Sequence, residues 1–562
     1  MHDLVIRGGT IVDGSGGDAF TGDVAIDDGR LTAVGGTAGS ARRVLDADGL
    51  LVTPGFVDVH THYDAQAMWD SLLGSSCWHG VTTVVVGNCG VGFAPVRRED
   101  REWVVKLMEG VEDISAEVLN AGMAWDWETF PEFLDALDRR PRALDVAAMI
   151  PHAPLRVYAM GERGLEGTNA PNPDELHTIE RLVHEALAAG AVGLATLRTQ
   201  IHRTSDGDLM PTYCAGDREL AAITAALRAA GHGVFEVAAD YATDPRETEL
   251  RRFRDIAAAR PVTLPVTQNH DDPDEWRDLM QFVVDANRDG LAMTAQVAVR
   301  PIARVLGFDS TSQFFAECPS YKQVAHLPLP ARVARLRDSS LRARIVAEAP
   351  TVPQRWDLDR VYPIDASFGY EPDASQSVGA QARARGQVPF ERAYDAMLDN
   401  DGQSFIFCPS RNFVGGTAEA VREMLLSPYT VPGIGDGGAH ATYICDMSFP
   451  TTLLAHWGRD RTKGERLPLP LLVRKHTSDT ARLFGFHDRG LLAPGYRADV
   501  NVIDFDHLRV LPPVMQYDFP AGGRRLVQRA DGYAFTLQRG EITFANGEHT
   551  GALPGRLLRA GT

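Results

Sequence analysis

The chain has 562 residues, 44% apolar and 23% charged. That is the balance of a folded globular protein, long enough for about two to four domains unless one large barrel takes most of it. Its 75 acidic residues outnumber 56 basic ones for a net charge of −19, a field that disfavours nucleic acid and anionic lipid. The start, MHDLVIRGGT, has neither a basic n-region nor an apolar h-region, and no apolar run approaches the ~18 residues of a membrane span, so a cytoplasmic protein is expected.

Two side-chain counts narrow the chemistry. The six cysteines, Cys77, Cys89, Cys214, Cys318, Cys408 and Cys445, have no CxxC spacing, which argues against both a disulfide framework and a structural zinc knot. The lysines are only Lys106, Lys322, Lys463 and Lys475, the remaining basic residues being arginine.

The first fifty residues read as short alternating strands, with Asp28-Gly29 and Asp48-Gly49 as hairpin-type dipeptides, giving a small antiparallel β layer. The stretch GFVDVHTHYD, Gly55 to Asp64, follows. As a strand it sorts Val57, Val59 and Thr61 to one side and Asp58, His60 and His62 to the other. Two imidazoles on one face at a strand end are spaced to reach one metal ion, and Asp58 on that face is placed to orient a histidine.

From there the texture is buried-strand runs alternating with helical patterns. VTTVVVGNCG is a continuous apolar run ending in a polar turn, as for a parallel strand covered on both faces. Thr178 to Ala189 has helical spacing, ends at Gly190 and leads into AVGLATL; Asp217 to Ala230, Gly231 and GVFEVA repeat the unit. RTQIHRTSDG, Arg198 to Gly207, concentrates Arg198, His202 and Arg203 after a strand, where a guanidinium can grip a substrate carboxylate with two hydrogen bonds. The runs RPVTLPVTQ, LAMTAQVAV, QSFIFCPS and TVPGIGD continue the series, which predicts a (β/α)8 barrel or a doubly wound sheet. A helical insertion over the barrel mouth is expected near 317–380. After Leu483 the antiparallel texture returns in RADVNVIDFD and GYAFTLQRGEITFANGEHTG, so both chain ends are expected to form one β-sandwich beside the barrel.

PGFVDVHTH, GVTTVVVGNCG, IGDGGAH and RGLLAPGYRADVNVID, in that order, resemble the amidohydrolase superfamily and its D-aminoacylase (N-acyl-D-amino-acid deacylase) branch. The similarity spans nearly the whole chain. It implies an α/β fold, a TIM-like (β/α)8 metallo-hydrolase barrel over 54–485, flanked by a β-sandwich from 1–53 and 486–562. It also implies a zinc-dependent hydrolase acting on carbon-nitrogen bonds other than peptide bonds, with one or two zinc ions per chain.

By the same resemblance Cys89 supplies a metal-bridging thiolate. Asp436, closing a late strand, touches the metal and carries the proton from water to the departing amine, as general base and then acid. Hydantoinase-like members bridge their metals with a carboxylated lysine from mid-barrel, but no lysine lies between Lys106 and Lys322, so that bridge cannot be built here. The pattern departs from the branch at the fifth and sixth strands, each of which ordinarily gives a histidine. GHGVFEVAAD puts Ala238 at the ligand position with inward-facing Glu236 two residues earlier, and LPVTQNHDD offers His270. The expected ligands are therefore His60, His62, Cys89 and Asp436, with His270 or Glu236 as additions. His440 and His456 are expected to be structural or supporting.

The activity expected is cleavage of a C–N bond in a small carboxylate-bearing amide such as an N-acyl-D-amino acid. Two alternatives stay open: hydrolysis of a cyclic amide or imide, and a metal-free barrel that serves binding or assembly. Partners beyond the small-molecule amide exclude nucleic acid and membrane, and self-association into a homo-oligomer stays open.

Overall fold

Eight parallel strands close into a barrel: Phe56–Asp58, Val81–Val86, Asp145–Ala148 continued by Ile150–Pro151, Gly193–Arg198, Val234–Ala239, Val262–Pro265, Met293–Val297 and Thr430–Pro432. The computed structural model describes residues 1–241, 245–353, 356–366 and 368–561. Strands such as Val81–Val86 are buried at every position, which is why they read as unbroken apolar runs. The seam between the last strand and the first is made just beyond their ends. Thr61 bridges Gly437 in parallel, the His62 N–H donates to the Gly437 carbonyl at 2.7 Å, and the Asp436 N–H donates to the His60 carbonyl at 3.1 Å. Barrel closure thus joins the HTH and GDGGAH segments, which are more than 370 residues apart in sequence.

The helices follow local chemistry. Pro173–Ala188 starts five residues before the expected Thr178 because Asn172 caps it, accepting from the N–H groups of Asp174 and Glu175 while Glu175 caps back. Asp217–Ala230 stops at Gly231 in the left-handed conformation, φ 72°, as its sequence predicts.

Both chain ends build one nine-stranded sheet, joined where Leu51–Pro54 pairs antiparallel with Val500–Ile503. Asp28 and Gly29, both at positive φ, turn the expected hairpin between Phe20–Asp27 and Arg30–Val34. Asp48-Gly49 makes no hairpin. Ala41–Asp46 and Leu51–Pro54 lie one after the other along His2–Ile11, each parallel to it, so the dipeptide only offsets a continuing chain and the layer is not wholly antiparallel. Nor does all of the C-terminal stretch join this sheet. The hairpin Val514–Phe519/Gly523–Val527 folds back toward the barrel mouth, where the Leu526 N–H donates to the Ala441 carbonyl at 2.6 Å, and Leu557–Leu558 runs parallel to Asp145–Ala148.

Between the seventh and eighth barrel strands lies an insertion with its own core of Leu306, Phe308, Phe315, Tyr321, Ile345, Tyr394 and Met397. Its helices include Leu329–Leu336, Ser339–Glu348, Val378–Arg385 and Pro389–Gly402, packed on a three-stranded sheet of Ile302–Leu306, Ile406–Arg411 and Tyr362–Pro363. QSFIFCPS belongs to this antiparallel sheet and is not a barrel strand. A short run buried on both faces looks the same in either setting.

Candidate metal centre

At the C-terminal end of the barrel His60, His62 and Cys89 offer ligand atoms that all lie within 4.8 Å of one another. Cys89 Sγ is 3.5 Å from His60 Nε2, and Asp436 Oδ1 is 3.4 Å from His60 Nε2 and 3.8 Å from His62 Nε2. Two of these residues hold unusual backbone: Cys89 and Asp436 sit in the left-handed region at φ 54° and 49°. Strain of that kind persists only where the surroundings dictate it. At Cys89 they do, since the Asn88 amide donates to the carbonyls of Thr61 (3.1 Å) and Val85 (2.9 Å), and a Cβ on Gly90 would meet the Ala195 carbonyl oxygen at 2.8 Å.

Both histidines turn Nε2 toward Asp436, with Nδ1 on the far side of each ring. His60 Nδ1 lies 2.7 Å from the Gln296 carbonyl oxygen, an acceptor that fixes the proton on Nδ1 and leaves the Nε2 lone pair free. His62 Nδ1 lies 3.1 Å from Glu112 Oε1, close but off the hydrogen-bonding direction, so the contact is electrostatic. Asp58 accepts from the His60 backbone N–H at 3.2 Å; it holds the main chain and does not orient a ring as the sequence suggested.

Burial sets the electrostatics of the cluster. Burial lifts the carboxyls of Asp58, Asp64 and Asp436 to about 7 and that of Glu236 to about 8, and pushes Glu112 and the Cys89 thiol well up. Burial also lowers His60 to about 4, keeping its imidazole neutral and available as a ligand. Glu112 Oε1 and Oε2, Glu236 Oε1 and Asp64 Oδ2 have no hydrogen-bond partner. A buried set of imidazole, thiolate and carboxylate donors with orphaned oxygens and no ammonium or guanidinium among them fits a divalent ion, and the nitrogen and sulfur donors fit zinc.

The remaining candidates divide. Glu236 stands beside the cluster, its Oε2 accepting from the Cys89 N–H at 3.0 Å. His202 also belongs to this face: its ring is 6.0 Å from that of His440, which packs on Tyr443 with Nδ1 3.1 Å from the Tyr443 hydroxyl. His270 does not join them, because the sixth strand ends at Pro265 and the following loop carries it to Arg360 and Arg411. Arg198 cannot grip substrate. It is buried and donates to both Glu249 oxygens, at 2.6 and 2.8 Å, and to the Ala215 carbonyl at 2.6 Å. Arg203 is exposed and tied to the Gly207 carbonyl, and His456 is bonded to Glu371 at 2.9 Å, away from the cluster. None of the four lysines reaches the mouth: Lys106 pairs with Asp206, Lys322 with Glu317 and Lys463 with Asp373, while Lys475 bonds the Thr430 carbonyl.

Gln296 and Glu112 escaped the sequence reading. Gln296 left a trace, as a polar residue inside the apolar run LAMTAQVAV; Glu112 left none, since it ends the amphipathic helix Arg101–Glu112 like any surface glutamate.

Residues 43–543 match the amidohydrolase family. The chain belongs to that family. This amidohydrolase is thus a hydrolase of carbon-nitrogen bonds other than peptide bonds, similar to the D-aminoacylase branch. Uncharacterized proteins of Mycobacterium bovis and Mycobacterium tuberculosis are 28% identical over 611 residues, covering 100% of this chain and 96% of theirs. The N-acyl-D-aspartate deacylase of Alcaligenes xylosoxydans xylosoxydans is 36% identical over 195 residues, 34% of this chain and 36% of that one. In fold, a D-aminoacylase with a binuclear metal centre superposes with a TM-score of 0.64 at 22% identity. The N-acyl-D-glutamate deacylase of Bordetella bronchiseptica, complexed with zinc and a phosphonate inhibitor, gives the same values; each comparison covers 100% of both chains. No helix among the described residues is long and apolar enough to cross a membrane.

Proposed function

We propose that this amidohydrolase cleaves the amide bond of a small carboxylate-bearing substrate, with N-acyl-D-amino acids as the nearest named class. The observation that carries the reading is the buried grouping of His60, His62 and Cys89, whose ligand atoms lie within 4.8 Å of one another at the catalytic end of the barrel, with Asp436 Oδ1 3.4 and 3.8 Å from the two imidazole Nε2 atoms. These four residues would hold a zinc ion, with Glu236 at hand as a further carboxylate. Zinc bound there supplies a water whose pKa falls to about 7 and polarises the scissile carbonyl.

The chain's own groups do the rest. Asp436, with its side chain 13% exposed and facing the mouth, is the carboxylate placed to take a proton from water and return it to the leaving nitrogen. Gln296 holds the His60 imidazole so that its protonated nitrogen stays turned away from the site, and Glu112 lies beside His62 Nδ1. The buried walls, with Tyr63, Val91 and Phe93 at 1% exposure or less, keep bulk water from the reacting atoms.

The test is a panel of N-acetyl-D- and L-amino acids set beside hydantoins and lactams, run with wild type and Asp436→Asn. Turnover of the linear amides is expected, falling at least ~100-fold in Asp436→Asn while metal content stays near wild type on His60, His62 and Cys89. Turnover of the cyclic amides alone, or an active Asp436→Asn enzyme, would overturn the reading.

A further inference from the structure

The loop that carries Asp436 is glycine-rich and turns through the left-handed region three times. It runs from Gly435 to Thr442, and Asp436, Gly438 and His440 stand at φ 49°, 93° and 48°. Its near end is fixed at the barrel seam, where Gly437 bonds His62 and Asp436 bonds His60 through the main chain. Its far end is fixed by a junction of three segments distant in sequence.

Asp113 is the centre of that junction. It follows the helix Arg101–Glu112 and ends it at φ 56°. Its Oδ2 accepts from the Thr442 N–H at 3.1 Å, from the Thr442 hydroxyl, and from the Thr311 hydroxyl at 3.0 Å, while the Thr311 N–H donates to the Thr442 hydroxyl oxygen at 3.2 Å. Thr442 ends the Asp436 loop, and Thr311 belongs to the insertion. One residue earlier the Ala441 N–H donates to the Glu112 carbonyl at 3.0 Å, and Glu112 is the residue whose Oε1 lies 3.1 Å from His62 Nδ1. The same junction thus sets both the Asp436 loop and the helix end beside His62.

Thr311 is itself anchored. Two residues before it Asp309, 1% exposed, has the Tyr517 hydroxyl 2.7 and 2.8 Å from its two oxygens and accepts from Arg524 at 3.1 Å, both residues lying on the C-terminal hairpin. Hydrogen bonds hold this corner where packing does not, because a cavity of about 380 Å3 opens against it, lined by Asp113, Thr311, Thr442, Tyr517 and Phe519 among others. A carboxylate that accepts three donors is a strong restraint there, charge-assisted hydrogen bonds being roughly twice as strong as neutral ones.

We propose that Asp113 is a positioning residue for the hydrolysis, locking the far end of the Asp436 loop to the seated insertion so that Asp436 keeps the posture that proton transfer needs. This rests on the hydrolase reading above. The deciding experiment compares steady-state kinetics, zinc content and amide hydrogen exchange in wild type, Asp113→Gly, Asp113→Asn and Thr311→Val. Asp113→Gly removes the carboxylate while leaving φ 56° unstrained, and Asp113→Asn restores an acceptor oxygen and tolerates that backbone; Thr311 is exposed, so Thr311→Val spares the fold. In Asp113→Gly kcat should fall roughly 10- to 100-fold with KM and zinc content near wild type, because the displaced group acts in the transition state. Thr311→Val should move the same way by less, and Asp113→Asn should recover most of the loss. Exchange in Asp113→Gly should quicken over residues 437–442 and keep its wild-type rate over Val81–Val86. A wild-type kcat in Asp113→Gly, an Asp113→Asn enzyme no better than Asp113→Gly, or exchange that quickens equally over Val81–Val86 would each overturn the proposal. Failure of the hydrolase reading has a separate signature: wild type turns over nothing in the substrate panel, and exchange over 437–442 then decides alone, quickened in Asp113→Gly if the lock exists and unchanged if it does not.

Discussion

Gln296 decides which nitrogen His60 presents. Its carbonyl oxygen is the acceptor 2.7 Å from Nδ1, buried where water cannot replace it. Gln296→Leu keeps the volume and removes the acceptor, so His60 loses the partner that fixes its tautomer. Metal affinity is expected to fall by about 10–100-fold with the fold intact, measured by competition against a chelator with circular dichroism as the fold control. Gln296→Glu, which keeps an acceptor, should retain most of it; equal affinity in all three proteins would show that His60 needs no such support. At this scale the sequence was informative where chemistry is local. The HTH alternation marked His60 and His62 because a strand end dictates where side chains point, whereas Cys89 was marked by the resemblance to the D-aminoacylase branch. Gln296 and Glu112 could not be assigned roles, since each acts on a residue from a distant element. Arg198 misled for the same reason: its partner Glu249 lies on the next helix but one, and nothing near Arg198 announces it.

Elements of the insertion are held on the barrel by Glu371. It accepts from the Ala418 N–H at 2.7 Å, from Arg461 Nε at 2.9 Å and from His456 Nε2 at 2.9 Å, tying the insertion to the helical stretch Leu453–Asp460 and its end. Against the cost of burial, His456, Arg461 and that N–H hold the Glu371 carboxyl down at about 2 from an ordinary 4.5. Because the folded value lies below the unfolded one, the stabilisation is complete above about pH 4.5 and is lost as the pH falls toward 2; it amounts to roughly 2–3 kcal/mol. The unfolding free energy of Glu371→Gln should therefore trail wild type by about that much at pH 7, with the gap narrowing at pH 3. A gap in urea denaturation that ignores pH would show that the carboxylate charge contributes nothing. The insertion was visible in the sequence as a helical texture, but its strands were not: QSFIFCPS has the burial of a barrel strand and the pairing of an edge sheet, and only the partner strand distinguishes them.

Across the whole molecule, closure is what makes the site. The His60–His62 segment and the Asp436 segment meet because the first and eighth strands pair beyond their ends, and Cys89 joins them from the second strand. The strand-helix alternation announced a barrel or a doubly wound sheet, the family resemblance chose the barrel, and the two β-rich ends announced that they fold together. How the last sixty residues divide between that sheet, the mouth and the third barrel strand depends on contacts with no local signature. The central claim is that this closure builds a metal site from His60, His62, Cys89 and Asp436. The most direct measurement is elemental analysis of protein purified without chelator, wild type against His60→Ala/His62→Ala, with circular dichroism confirming that both are folded. One or two zinc ions per wild-type chain, absent from the double variant, is the predicted result; a wild-type protein that stays metal-free after zinc is supplied, or a double variant that keeps its full zinc content, would contradict it.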